Sequence, residues 1–344
     1  MSFTFGNATF GNPSKGRTEE AAQMNENTST FTLNTSRVKD EKKKDAVMMF
    51  GQSVWVPLLP SFPWRTVTWT QETKETLMEM VKSYKPDNEC VSEARVLLLG
   101  PVGAGKSSFI SSVQSVFSGR VLNRAMVGSS SSTSFTKKLQ SFSIRKGHET
   151  ADGSTALVFS DVMGLGDGET AGLTLHDALC VIQGHVPEGY QFSPEQPVKS
   201  ETPGYVKKPS LKDKVHCVVF VVDASKISTY TKGLSTTFQK LREHISNLGV
   251  HQVALLTHID MVCKETAQDI THVYQSPLVH QLMVKAGALL GMATSYIVPV
   301  KNYSSELELE ENTDILLLTA VDHILQYANM YFQDMAPAYK IPNL

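Results

Sequence analysis

A run of glycines and small residues lies between two apolar segments at residues 97–113, LLLGPVGAGKSSFISSV. It contains the pattern G-x-x-x-x-G-K-[ST], in which glycines let successive backbone N–H groups point at phosphate oxygens and the lysine adds a full charge. The flanking segments predict a strand before the loop and a helix after it, whose N-terminus favours anions. The candidate phosphate-binding residues are Gly100, Val102, Gly103, Ala104, Gly105, Lys106, Ser107 and Ser108.

Oxygen ligands for Mg²⁺ are predicted at three places. The hydroxyl of Ser107 can ligate a magnesium ion that is bound to the phosphates. Asp161 and Gly164 form a D-x-x-G pattern directly after the apolar run TALVFS, so the carboxylate can hold the metal through water and the glycine N–H can meet the γ-phosphate. A threonine of GSSSSTSFTKK, Thr136 or alternatively Thr133, would complete the metal's ligands once a triphosphate orders that loop. The serine run is equally typical of a flexible loop without a metal role.

The sequence THID after the apolar run QVALL indicates which base is bound. Thr257, His258 and Asp260 resemble the pattern [NT]-K-x-D, whose aspartate accepts hydrogen bonds from guanine N1–H and the exocyclic amine. Adenine lacks that donor pair, so the carboxylate would discriminate strongly between the two bases. His258 stands at the lysine position and can still stack on the base. An alternative role for Asp260 is that of N-cap for the next helix.

The loop IVPVKNYSSE, after the last apolar run, lies where a loop is expected to close over the base. It supplies Lys301 and Asn302 as candidate base contacts, of which Asn302 is the better one. An ordinary polar turn is the alternative interpretation. The glutamates that follow, Glu306, Glu308, Glu310 and Glu311, are predicted to form a solvated acidic edge.

Short aliphatic runs alternate with helical patterns from Arg95 onward, which predicts an α/β fold with a mostly parallel six-stranded sheet and helices on both faces. Strands are predicted at 96–99, 156–160, 215–222, 252–256 and 296–300, with an edge strand at 140–144. The first helix after the phosphate loop should bury Phe109, Ile110, Val113, Val116 and Phe117. The last helix should bury Ile315, Leu318, Val321, Ile324, Leu325 and Ala328, with Asn312 or Thr313 as its N-cap.

Composition divides the chain into segments. Residues 1–45 have few aliphatics and are predicted to be disordered. Residues 46–92 hold all three tryptophans, Trp55, Trp64 and Trp69, and should pack on the main domain as a lead-in strap with a helix near 71–84. Residues 93–335 are assigned to the nucleotide-binding domain, with a proline-rich surface insertion near 185–214, and residues 336–344 to a tail.

Charge and hydropathy exclude several classes of partner. Lys+Arg 32 and Asp+Glu 34 nearly balance, so no overall field attracts the chain to nucleic acid or to an acidic membrane. The first residues lack the pattern of a signal peptide, the apolar runs are too short to span a bilayer, and the end carries no lipidation box. The four cysteines form no CxxC pair and indicate reduced thiols. We therefore expect a cytoplasmic protein without a membrane anchor and without nucleic acid.

Several stretches resemble the interferon-induced protein 44 family of GTP-binding proteins. They are PWRTVTW, ARVLLLGPVGAGKSSF, VGSSSSTSFTKK, GHVPEGYQFSP, SLKDKVHCVVFVVDASK and PVKNYSSELEL. The resemblance covers about residues 60–335 and implies a Ras-like P-loop NTPase G domain that binds GTP/GDP. It also implies a cytoplasmic protein that is induced by interferon and acts in antiviral innate immunity or in restraint of proliferation. Two residues depart from the family's T-K-x-D and D-T-M-G patterns, His258 and Val162.

Leu165 follows the D-x-x-G glycine, where efficient small GTPases carry a glutamine that orients the attacking water. Because phosphoryl transfer depends on positioning and charge stabilisation, we expect a weak GTPase at most, accelerated only by a protein partner or by self-association across the nucleotide. No arginine lies in GSSSSTSFT, and Arg120 and Arg124 are weak candidates for a cationic finger. No catalytic residue is assigned. An ATP-using P-loop enzyme and an interaction scaffold with a degenerate nucleotide site are the alternatives.

Overall fold

Six strands form one sheet in a computed structural model that describes residues 62–122, 137–147, 153–166 and 172–335. The strands are β1 (Ala94–Leu99), β2 (Gln140–Arg145), β3 (Ser154–Asp161), β4 (Cys217–Asp223), β5 (His251–Thr257) and β6 (Ile297–Pro299). Their order is β2-β3-β1-β4-β5-β6, and only β2 pairs antiparallel. Each predicted strand overlaps one of these, so the predicted mostly parallel, six-stranded sheet is confirmed.

Helices cover both faces of the sheet. They are α1 (Gln71–Ser83), α2 (Lys106–Ser118), α3 (Leu175–Ile182), α4 (Lys232–Asn247), α5 (Ile259–Val262), α6 (Lys264–Gln268), α7 (Pro277–Leu290) and α8 (Glu311–Met335). Helices α1, α2 and α8 contact one another or the sheet on one side, and α3, α4 and α7 do so on the other. Every residue of β4 is buried, as its unbroken CVVFVVD pattern predicts for a strand covered twice.

The apolar faces that the sequence predicts for the first and last helices are confirmed, because all of those side chains are buried in the core. The predicted cap of the last helix is wrong. Helix α8 begins at Glu311, so Asn312 and Thr313 lie inside its first turn. The Thr313 hydroxyl instead donates a hydrogen bond to the Glu310 carboxylate at 2.8 Å. Among the described residues, no helix combines the length and the hydropathy needed to cross a bilayer.

The segment before β1 packs on the sheet domain through aromatic contacts. The Trp64 ring meets Tyr274 edge-on at 5.0 Å, and Trp69 also packs against the core. Arg65 donates hydrogen bonds to the carbonyls of Ile297 and Thr294 at 3.0 and 3.2 Å. Trp55 lies outside the described residues. The predicted helix near 71–84 is α1, whereas the predicted domain boundaries remain predictions.

The proline-rich stretch 185–214 contains one short 3-10 helix, Leu211–Asp213, and otherwise irregular backbone. It lies on the surface only in part, because Val186, Phe192 and Val198 are buried in the core. The Val198 N–H donates to the buried Asp177 carboxylate of α3 at 2.8 Å. Composition predicted a loop here, but the scattered apolar residues that anchor it carry no periodic signal.

His216, directly before β4, is a fully buried histidine in a defined hydrogen-bonded position. The Arg95 N–H donates to Nδ1 at 2.9 Å, and Nε2 donates to the Leu211 carbonyl at 3.0 Å. This pair of bonds requires the neutral imidazole, since protonation of Nδ1 would displace the Arg95 donor. Burial lowers the pKa of His216 from 6.5 to about 4.

We predict that His216 makes the protein less stable in mild acid. Between pH 6.5 and 4 the unfolded chain binds a proton at this residue and the folded chain does not, so the free energy of unfolding falls as the pH falls through that window. The full loss from this group is about 3 kcal/mol. Urea unfolding at several pH values should show a shallower acid dependence for His216→Gln than for the native chain, while the exposed control His244→Gln keeps the native dependence. Equal dependences in all three proteins would contradict the prediction.

Candidate functional site

The loop between β1 and α2 has the backbone conformation that a phosphate-binding loop needs. Gly103 and Gly105 adopt positive φ values of 74° and 91°, which side chains rarely adopt, and Gly105 is the N-cap of α2. A Cβ on Gly100 would lie 2.2 Å from the Val221 carbonyl oxygen of β4, so that position has no room for one. The loop is therefore held tightly against the sheet at the head of a helix. Val102 and Ser108 flank this turn and are both half-buried.

Lys106 is the first residue of α2, and its ammonium folds back over the loop. Nζ donates to the carbonyls of Gly100 and Pro101 at 2.9 and 3.1 Å. The side chain is buried, which lowers the pKa of the ammonium, while the Asp161 carboxylate opposes that shift. A buried cation surrounded by loop carbonyls and helix N–H groups is suited to an anion with several charges.

Ser107 and Asp161 come together as the sequence predicts. The Ser107 hydroxyl donates to Oδ2 of Asp161, which is buried at the carboxyl end of β3. A hydroxyl and a carboxylate are oxygen ligands of the kind that Mg²⁺ uses beside substrate phosphates. The two residues therefore fit a magnesium ion. Thr136, the third predicted ligand, and its alternative Thr133 lie outside the described residues, as does Arg124.

Gly164 lies directly against the phosphate loop. A Cβ on it would come within 2.7 Å of the Val102 side chain and 2.8 Å of the Val102 nitrogen, so glycine is required for this approach. The next residue, Leu165, donates its N–H to the Gly100 carbonyl at 3.0 Å and buries its side chain in the core. The residue at the predicted water-orienting position is thus apolar and is turned away from solvent.

The loop after β5 contacts the phosphate loop directly. The Thr257 hydroxyl donates to the Ala104 carbonyl at 2.8 Å and lies 3.1 Å from the Val222 carbonyl. His258 has a φ of 57°, the one positive value among the described non-glycine residues, and its Cε1 lies 3.5 Å from where a Cβ on Gly105 would stand. Such left-handed residues cluster at functional sites.

The Asp260 carboxylate is half-buried, and no other described group is hydrogen-bonded to it. It lies inside α5, whose N-cap is His258, and the N-cap of α6 is Cys263. The alternative interpretation of Asp260 as a helix N-cap is therefore wrong. Both oxygens remain available for a ligand with two donors, such as the guanine edge.

The last loop places its two candidate residues differently. Asn302 reaches the phosphate loop, where its Nδ2 donates to the Gly105 carbonyl at 3.2 Å. Lys301 turns away and pairs with Glu310 at 2.8 Å and Glu306 at 3.3 Å. Burial disfavours the Lys301 ammonium, but these two carboxylates outweigh it and raise its pKa.

Two consequences follow from this pairing. The base contact predicted for Lys301 stays a prediction to which the geometry adds no support. The predicted solvated acidic edge is confirmed for the exposed Glu308, Glu310 and Glu311 but not for the half-buried Glu306, and both Glu306 and Glu310 also pair with Lys301.

Sequence reasoning missed two charged residues at this site, Asp223 and Lys226. Asp223 ends β4 with its carboxylate buried, and the Lys226 ammonium lies 3.3 Å from Oδ2 of Asp223. Oδ1 of Asp223 lies 3.4 Å from Nδ1 of His258. The available signal was position, since the sequence VDASK begins at the carboxyl end of the central strand β4, at the edge where the other described candidate residues lie.

A parallel sheet of this order, with the G-x-x-x-x-G-K-[ST] loop between β1 and α2, defines a Ras-like P-loop NTPase G domain. Solved structures that match include a probable GTP-binding protein engB, which is 10% identical with a TM-score of 0.35 and covers 69% of this chain and 100% of that one. A structure of Aquifex aeolicus Era bound to GDP·AlF4⁻ is 13% identical with a TM-score of 0.35 and covers 68% of this chain and 56% of that one.

Curated relatives identify the family, although no protein-family model matches the chain. Interferon-induced protein 44 of Homo sapiens is 37% identical over 274 residues, 79% of this chain and 60% of the relative. The Mus musculus protein of the same name is 38% identical over 75% of this chain and 60% of the relative. Interferon-induced protein 44-like of Homo sapiens is 35% identical over 77% of this chain and 58% of the relative.

The matched part of the chain belongs to the interferon-induced protein 44 family, as the sequence motifs predict. The chain spans about 60% of the length of the first of these relatives.

We predict that the Thr257 hydroxyl couples the loop after β5, which carries Asp260, to the phosphate loop. Thr257→Val keeps the shape but removes the donor to Ala104, so the free energy of unfolding should fall by about 1–2 kcal/mol. Backbone amide exchange should accelerate in residues 100–105. Thr236→Val is the matched control, because its hydroxyl also donates to a carbonyl but is exposed on α4. A Thr257→Val protein as stable and as protected as the control would contradict the prediction.

Proposed function

We propose that this chain binds GTP or GDP with Mg²⁺ at residues 100–107 and hydrolyses GTP slowly or only with a partner. The observation that carries the proposal is the bond between Thr257 and Ala104, which joins the loop of a base-reading carboxylate to the phosphate loop. These two motifs are far apart along the chain, and the parallel pairing of the strands brings them close together in space. A nucleotide that spans both would meet cations at one end and Asp260 at the other.

The phosphates would be held by the loop amides and by Lys106. Magnesium would bind Ser107 directly and Asp161 through water, with Thr136 as a further ligand, and it would neutralise charge on the β- and γ-phosphates. Asp260 would accept both donors of the guanine edge, His258 would stack on the ring, and Asn302 would close over it. ATP fits this arrangement less well, because adenine would leave the carboxylate without its donors.

The relatives support a proposal about the biological setting. Their names describe interferon-induced proteins, and we propose the same induction for this chain together with a cytoplasmic role in antiviral innate immunity. An unidentified protein partner or nucleotide-dependent self-association would supply what Leu165 lacks for hydrolysis. The proposal covers the part of the relatives that this chain matches.

Base selection can be tested by calorimetric titration with GDP, GTP, XDP and ATP in Mg²⁺. The native chain should prefer guanine nucleotides, and Lys106→Met should abolish binding because it removes the buried cation. Asp260→Asn should weaken GDP binding more than tenfold and favour XDP, whose base carries an oxygen where guanine has its amine. The control Asp87→Asn, at an exposed carboxylate outside the site, should bind like the native chain.

Two other results of the same titration would count against guanine binding. Preference of the native chain for ATP would favour the ATP-using enzyme. Absence of binding by all four nucleotides, in a chain that melts cooperatively, would favour the scaffold with a degenerate site.

Slow hydrolysis can be tested at Leu165. Because its side chain lies in the core, Leu165→Gln should bury an amide there and lower the melting temperature, without raising the single-turnover rate of GTP hydrolysis. Leu165→Met, which keeps an apolar side chain of similar volume, should retain most of the stability. A glutamine variant that folds as well as the native chain and hydrolyses GTP faster would contradict the expectation that the side chain at position 165 stays in the core.

A further inference from the structure

A second cation lies over the phosphate loop, outside the motifs that the sequence singles out. The Nζ atom of Lys226 is 3.4 Å from the position that a Cβ on Gly103 would occupy. It is held there by Asp223, whose Oδ2 lies 3.3 Å away. The Lys226 side chain is 54% exposed, so its ammonium is tethered at one side and open to a ligand at the other.

Asp223 connects this lysine to the loop after β5, which carries His258. Its carboxylate is buried, its Oδ1 accepts from the Ser225 N–H at 2.9 Å and from the Ser225 hydroxyl at 2.6 Å, and the same oxygen lies 3.4 Å from Nδ1 of His258. Lys226 and His258 therefore share one carboxylate above two glycines of the loop, Gly103 and Gly105.

A nucleotide bound at the phosphate loop would need a positive charge beside the Asp223 carboxylate. A buried carboxylate beside a phosphate-binding loop repels a polyanion unless a positive charge offsets it. The [NT]-K-x-D pattern would bring that charge on residue 258 as a lysine ammonium, but this chain has a histidine at that position. Lys226, in the loop after β4, brings an ammonium to the Asp223 carboxylate instead.

We propose that Lys226 is a nucleotide-binding residue that supplies, from the loop after β4, the ammonium that a lysine at position 258 would have brought. Its ammonium contacts the phosphates of the bound guanine nucleotide over Gly103, and Asp223 positions it there. This inference rests on the proposed function, because it assigns a further contact to the same ligand.

The first test compares Lys226→Met, Lys226→Arg and the control Lys232→Met, a neighbouring exposed lysine at the start of α4. Fluorescent GDP in Mg²⁺ is the probe. Lys226→Met should raise the Kd about tenfold or more and make it less sensitive to salt, because a charge-assisted contact is lost. Lys226→Arg should remain within a few-fold of the native chain, and Lys232→Met should not differ from it. Lys226→Met should still melt cooperatively, because Asp223 keeps its hydrogen bonds from Ser225.

The second test is a double-mutant cycle with His258→Lys. The Kd of His258→Lys alone is the reference, and in the Lys226→Met background the same change should restore most of the lost affinity, because the new ammonium reaches the same carboxylate. Absence of rescue would overturn the claim that Lys226 replaces the lysine of the pattern.

The outcomes separate this inference from the function on which it rests. If the native chain binds GDP and Lys226→Met binds equally well with the same salt dependence, the inference is overturned and the proposed function stands. If the native chain binds no guanine nucleotide, both fall together.

Discussion

Parallel pairing of β1 with β3 and β4, and of β4 with β5 and β5 with β6, brings the carboxyl ends of five strands to the same edge of the sheet. The described residues of the candidate site lie at or after one of those ends. The phosphate loop follows β1, the D-x-x-G carboxylate ends β3, and the remaining groups follow β4, β5 and β6. Residues separated by some two hundred positions, such as Gly105 and Asn302, thus meet at this edge of the sheet.

Close backbone packing at this edge explains why glycine and small polar residues are concentrated there. The loop must approach β4 at Gly100 and the β3 loop at Gly164, and neither position has room for a Cβ. The polar contacts that join the loops, from Thr257 to Ala104 and from Asn302 to Gly105, then end on backbone carbonyls. The phosphate loop is held from several sides, which reduces the ordering that ligand binding would require.

The loop after β6 is also linked to helix α1, which precedes β1 in the chain. The Tyr303 N–H donates to Ser112 of α2 at 2.9 Å, and the Tyr303 hydroxyl donates to Asp314 of α8 at 2.7 Å. Asp314 in turn pairs with Lys74 of α1 at 2.8 Å, although burial raises the pKa of this aspartate. Helix α1 is therefore part of the support of the site, which the strap interpretation of residues 46–92 did not anticipate.

The sequence by itself determined the sheet, the phosphate loop and the family. Unbroken aliphatic runs specify strands buried on both faces, and the spacing of glycines, lysine and serine is typical of a phosphate-binding loop, so these predictions needed no coordinates. The pairing of Ser107 with Asp161 was predictable for the same reason, because both follow neighbouring parallel strands.

Only the tertiary structure decided where single side chains point. It turned Lys301 toward Glu306 and Glu310, buried Leu165 in the core, placed Asp260 inside a helix instead of at its cap, and moved Lys226 over Gly103. Each of these depends on a partner that is distant in sequence or on a rotamer chosen by packing. Local pattern cannot encode such choices, since charge pairing and burial are settled by whichever elements the fold brings together.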